Sequence, residues 1–411
     1  MCECPLRLDC KRLSFAMFEQ SKADGGESMR IVWRILVWSF QALFAGTWPA
    51  TDWTGAPWPA NSAEARLAGG PLAEGFFGVP YIMKGDWEHF AKSFGLRRYS
   101  AGRPCDHCRC EKFHNSDPRD WPTNFRQDAR WRTALITPTA WRAEYGADLH
   151  SLWQAFPFMS NWSIEPDEMH TIYMGTSCYM LGSVLHMLVF TILPGTPMQN
   201  MERVWEGICE QYRLLRVPTQ YSSLGISSFV DPARPTLEYP RLKGRAAEVK
   251  WLAPVLLALW RRHGRPGVQV DQWVEACLTS QVRLQEIIDE EPAALFMEPA
   301  LAAELPAVAD RMLSFYSRLA DAANRAGELL WTVAPKHHQL VHICARAAYL
   351  HPRRGSCFVD EDFMRRVKGI VQACTAATPL HRVPMTLLQK YRWGMCFQYV
   401  RASEELSLIH I

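Results

Sequence analysis

From Thr171 to Leu193 the chain carries no Asp, Glu, Lys or Arg. A charge-free stretch of that length is stable only out of water, inside a protein or inside a bilayer. Gly175, Gly182 and His186 interrupt it, no basic cluster flanks it, and the polar run Asp167-Glu168-Met169-His170 leads straight into it. These features favour a buried core helix over a membrane span, so no membrane is expected as a partner. Burying such a helix takes a sizeable surrounding core. The 411 residues, 48% hydrophobic and 21% charged, are enough for two or three domains. Seventeen Trp add to that core and offer surfaces on which bases can stack.

The thirteen Cys are odd in number and scattered. Met1 to Gln20 shows no signal-peptide pattern, which points to reduced thiols in a cytosolic or nuclear protein, with a few on zinc. A net charge of +3 leaves room for a local basic groove without requiring one.

Apolar periodicity predicts a helix over Ser28 to Ala45, ended by Gly46 and Pro49. Trp48 to Gly75, rich in Pro, Gly, Ala and Trp, reads as a long loop. The run Phe76 to Met83 suits a buried strand, with Asp86 just beyond it and a helix opening near Glu88. Ser163-Ile164 suits a second short strand. From Ile172 to about Trp331 the pattern is almost wholly helical, with helices at Met201 to Leu215, Ala246 to Arg262, Asp271 to Glu290 and Ala307 to Trp331. A later helix starts near Asp360, with Phe363, Val367, Ile370 and Val371 on one face. A last helix spans about Pro384 to Val400.

Five groups of residues carry possible chemistry. Asp86, at the end of a strand and beside a Gly, is placed either to hold Mg²⁺ or to cap the next helix. The thiols of Cys105 and Cys108 have the spacing of a zinc knuckle, with His107, Cys110 and His114 as further candidate ligands; free thiols in a loop are the alternative. Asp167 and His170 share a helical face, where the His can orient a carboxylate, contact a phosphate or bind metal; the alternative is a helix-start Asp with a core His. His337, His338 and His342 invite a metal reading, but the lack of nearby acids favours a structural role. Glu361 has Arg365 and Lys368 on its face, either completing a metal site against DNA phosphates or forming a solvated stripe.

Taken in order, these residues resemble the CACTA-like group of DDE-type DNA transposases, from roughly Ser28 to Val400. The match lies in Asp86 with Gly95 and Cys105-x-x-Cys108, in Asp167-x-Met-His170, in Leu242-Lys243-Gly244, and in Pro335 to His342 with Asp360-Glu361-Asp362-Phe363 and Lys368. The resemblance implies an α/β plus all-α fold: a partial ribonuclease-H-like core over 1–170 with a zinc-knuckle loop at 102–131, a helical insertion over 171–331, and closing helices over 332–405. It implies Asp86 and Glu361 as the second and third catalytic carboxylates holding Mg²⁺, with Asp167 and His170 beside them and zinc as a structural ion. The implied partners are transposon ends and target DNA, with homo-oligomerisation possible and a nuclear location. Only 27 residues precede the first helix. Three strands need more chain than that, and neither Asp9 nor Asp24 sits in a strand pattern. The expectation is that the first catalytic Asp is missing, that Met1 is not the natural start, and that this chain alone is inactive. The ending 406–411 resembles a translated sequencing adapter. The alternative to a transposase-derived enzyme is a non-catalytic DNA- or protein-binding module on the same fold.

Overall fold

A computed structural model describes residues 27–72, 74–113, 116–375 and 379–394. The expectations for Asp9, Asp24, His114, 406–411 and the end of the last helix lie outside the described residues. In chain order the longer elements are α1 (Glu27–Ala45), α2 (Ala63–Leu67), β1 (Met83–Gly85), α3 (Trp87–Phe94), α4 (Pro138–Tyr145), α5 (Ser151–Ala155) and β2 (Ile164–Pro166). They continue with α6 (Ser177–Met187), α7 (Pro197–Leu214), α8 (Ala246–His263), α9 (Gln269–Asp289), α10 (Pro299–Arg325), α11 (Pro335–Arg346) and α12 (Phe358–Thr375).

These elements fall into two compact units. The first takes its described residues from 27–80, 151–157 and 358–394. Here α5 lies against α1, and Phe44 meets Phe156 edge-on with ring centroids 6.1 Å apart. On α12, Val367 and Cys374 form a small core with Val383 and Leu387, and Phe363, Ile370 and Val371 pack on it. That is the face the sequence predicts. Glu361, Arg365 and Lys368 are exposed.

The second unit spans 81–150 and 158–357 and holds the large helical core. Its centre is the charge-free stretch. A continuous helix, Met169–Ile192, is α-helical over α6 and wound with π-type period over Met169–Thr176 and Leu188–Ile192. Of its most apolar window, 78% is buried, and α8 packs along it. Gly182 explains one close approach. A Cβ there would sit 3.0 Å from the backbone of Pro240 and Leu242. The small residue lets the 240–242 loop lie on the helix, where Leu242 N–H donates to Cys178 O at 2.9 Å. Caps set the helix starts. Thr196 and Gln199 form a capping box before Pro197 on α7, and Pro299 and Pro335 open α10 and α11, where a missing N–H costs nothing. The expected helix over Ala307 to Trp331 is displaced: α10 begins at Pro299 and gives way to Gly327, at φ +72°, after Arg325.

The expected strand over Phe76 to Met83 is shorter than its pattern. Only Met83 pairs, as the first residue of β1, and Phe76, Phe77 and Tyr81 stay exposed. Pro80 lacks the N–H a ladder needs. Among the described residues the only sheet is the parallel pair of β1 with β2. The fold is therefore a helix-rich mixed one. A two-stranded pair is much less than the multi-stranded ribonuclease-H-like core that the resemblance implies.

Candidate metal centre and adjoining cleft

Cys105 and Cys108 sit in a loop that is held on three sides. Arg109 N–H donates to Ala134 O and Ile136 N–H to His107 O, each at 2.9 Å, which ties the knuckle to residues 134–136. Between the two thiols, Asp106 turns inward. Its carboxylate accepts from Trp141 Nε1 at 3.0 Å and Tyr145 Oη at 2.7 Å, both on α4. Asn161 Nδ2 adds a bond to Asp106 O at 2.9 Å. Burial pushes the Asp106 carboxyl up to about 6, against the pull of these donors and Arg97. Sequence reasoning missed this anchor, because a lone Asp between cysteines carries no pattern.

On the far side of the loop stands α11. His338 and His342 are one helical turn apart, so both imidazoles leave the same face. Cys105 Sγ is 3.4 Å from His342 Nε2, Cys108 Sγ is 3.3 Å from His338 Nε2, and the two Nε2 atoms are 3.1 Å apart. All four side chains are buried and their donor atoms lie within 4.8 Å of one another. A tetrahedral zinc with Zn–N of about 2.0–2.1 Å and Zn–S of about 2.3 Å places nitrogens ~3.3 Å apart and nitrogen and sulfur ~3.5 Å apart. The observed spacings fit that tetrahedron. They fit hydrogen bonding poorly, since a single shared proton satisfies one such contact and an ion satisfies all three. Burial opposes ionisation of Cys105, but hydrogen bonds from the Cys108 and Cys110 thiols and the nearby His342 hold its thiol well below the usual range. A buried Cys2His2 cluster able to hold zinc is thus in place. Trp131 packs edge-on to the His338 ring at 4.4 Å and keeps it in position.

This corrects the ligand set expected from sequence. Cys105 and Cys108 belong to it, whereas Cys110 and His107 are buried beside it and outside the four. His338 and His342, which invite a metal reading in the sequence although a structural role is favoured there, complete it. The signal was present as two halves, a Cys-x-x-Cys and a His four residues before another His. More than 200 positions separate them, and nothing local joins them.

The second locus adjoins the first. In the β1–β2 ladder Met83 pairs with Ile164, Lys84 with Glu165 and Gly85 with Pro166. The next positions in register are Asp86 and Asp167. Both line a cleft of about 200 Å³ with His170, Lys336 and Gln339. Asp86 acts as the N-cap of α3, its Oδ1 accepting from His89 N–H at 2.5 Å. Asp167 is wholly committed. Its Oδ1 accepts from Met169 N–H at 3.0 Å and Cys357 N–H at 2.9 Å, and its Oδ2 accepts from His170 N–H at 3.3 Å and from His170 Nδ1. The bond to Asp167 raises the His170 pKa against the opposing effect of burial. Burial lowers that of Lys336.

Gly175, five residues after His170, is explained by the same helix. A Cβ there would lie 2.5 Å from Lys336 Cδ and 2.9 Å from His170 O. The glycine clears a path for Lys336 into the cleft. A buried pair fixes β2 to α11: Arg346 donates to Glu165 Oε2 from Nε at 3.0 Å and Nη2 at 2.7 Å, and Nη2 also reaches Trp162 O at 2.6 Å.

Asp86, Asp167 and His170 therefore come together. Glu361 lies on α12 in the other unit. Mg²⁺ favours an all-oxygen shell, and among the described residues no such set is gathered at the cleft; the group of Asp167, His170 and Cys357 has its Asp oxygens occupied. No family model, curated protein or solved structure matches this chain.

Proposed function

We propose that the chain is a transposase-derived DNA-binding protein in which a structural zinc ion holds a phosphate-facing cleft together, and that on its own it does not cleave DNA. One observation carries the reading. Two aspartates in register at the ends of parallel strands open onto the same cleft as an Asp-held His170 and Lys336. His170 and Lys336 are the cleft's basic groups for a phosphate oxygen, set among the carboxylates of Asp86, Glu88 and Asp167, and phosphate contacts of this kind position a strand without reading its sequence. Strand cleavage and joining would require Asp86 to be met by Glu361 and by a further carboxylate, with Mg²⁺ between them. Zinc at Cys105, Cys108, His338 and His342 fixes the loop and α11 that carry the cleft. It has four protein ligands and no open position for chemistry.

The test is binding of labelled duplex DNA by the zinc-loaded full chain, followed by anisotropy over a range of salt. Affinity should fall steeply with salt and drop in Lys336→Ala, and no nicked product should form with Mg²⁺. A chain that ignores DNA at low salt sinks the reading. One observation favours the second reading, a binding module with no catalytic past in use: both cleft aspartates are engaged by backbone amides. Mn²⁺ titration separates the two. Binding abolished by either Asp86→Asn or Glu361→Gln supports convergent carboxylates, and DNA affinity without any Mn²⁺ site supports the module.

A further inference from the structure

The cleft does not end at Lys336. Trp87, Tyr99, Pro166 and Gln339 line both it and a second cavity of about 130 Å³ that reaches to the metal centre. The walls of this inner slot are flat and mostly apolar, made by the two aromatic residues and by prolines such as Pro104 and Pro122. His107 also lines it. That side chain is 3% exposed, and neither of its ring nitrogens has a hydrogen-bond partner. Buried polar groups are nearly always satisfied, so an unsatisfied imidazole in the wall of a cavity calls for a partner. A metal at the cluster would not supply it, because Cys105, Cys108, His338 and His342 would fill its tetrahedron.

We propose that this slot receives the base of an unstacked nucleotide whose phosphate lies in the adjoining cleft. The proposal rests on the DNA-binding reading above and adds to it the state of the DNA that is bound. Flat aromatic and prolyl walls match the faces of a base, and stacking of this sort tolerates any sequence. Gln339 presents its amide to the edge of the base, and a turn of the His107 ring would bring one of its unpartnered nitrogens to the same edge. A base inside a duplex exposes neither its faces nor its pairing edge, so the occupant is an overhanging, bulged or extruded nucleotide. Lys336 and His170 stand where the attached phosphate would lie.

The experiment uses the zinc-loaded full chain and DNA carrying 2-aminopurine, either in a single-nucleotide bulge or fully paired. Anisotropy reports binding, and 2-aminopurine fluorescence reports stacking. The bulged DNA should bind about tenfold more tightly than the paired DNA, with quenching of its fluorescence on binding. Tyr99 is 55% exposed, so its truncation leaves the core intact. Tyr99→Ala should remove most of the preference and the quenching, Tyr99→Phe should retain both, and Gln339→Leu should weaken the preference. Equal binding of the two DNAs with unchanged fluorescence overturns the slot while leaving the DNA-binding reading standing. No binding to either overturns both.

Discussion

Cys105, Cys108, His338 and His342 meet with their lone pairs facing one another. Asp167, His170 and Cys357 meet about as closely in the same unit, but there every Asp oxygen is already accepting from an N–H. The first arrangement has an unmet electrostatic demand at its centre, which a cation resolves. In the second the demand is met by the chain itself, and the outcome is an oriented imidazole. Proximity of ligating side chains is therefore a weak criterion for a metal site. What decides is whether the donor atoms are free to turn inward.

The largest effect should come from emptying the first cluster. Chelation, or His342→Ala, should release one equivalent of zinc and lower stability by several kcal/mol, since small zinc domains draw about 10–16 kcal/mol from the ion. A second tightly held equivalent, measured by elemental analysis, would break the contrast. Next is the buried pair that joins the two regions. Arg346→Met strands the Glu165 carboxylate and should cost about 3–5 kcal/mol in denaturant unfolding. The double variant with Glu165→Leu should recover much of it.

Asp167→Asn sharpens the comparison from the other side. Zinc content should hold, while stability falls by about 1–3 kcal/mol. Because the folded pKa of His170 is raised, its contribution is fully present below its unfolded value near ~6.5 and fades as pH rises through the higher folded value. An NMR titration should show that elevation vanish in Asp167→Asn. The smallest change is Asp86→Ala, which removes a cap and should cost about 1 kcal/mol. A cost near zero would mean that the carboxylate is not committed to α3.

Much of the fold was readable locally. The charge-free stretch from Thr171 announced a buried helix, and the apolar period around Val367 announced the packed face of α12, because both depend on neighbours three or four residues away. Asp86 and Asp167 were readable as residues of interest, yet their register was not. Ladder pairing between positions 83 and 164 has no local mark. The metal ligands failed for the same reason in sharper form. Judged by acidic neighbours, His338 and His342 looked structural, and their actual partners lie in a loop before the helical core. Phe76 to Met83 misled in the opposite direction, since an apolar run specifies burial only when another strand is there to cover it.

One rotation angle of α11 serves two tasks. Residues two apart on a helix point about 200° from each other, so Lys336 enters the cleft while His338 faces the thiols. An insertion or deletion of a single residue between Lys336 and His338 would turn one of them by roughly 100° relative to the other, so that α11 could serve only one of the two loci. The spacing of the short run Pro335-Lys336-His337-His338 is therefore less tolerant of change than the identities of most residues around it.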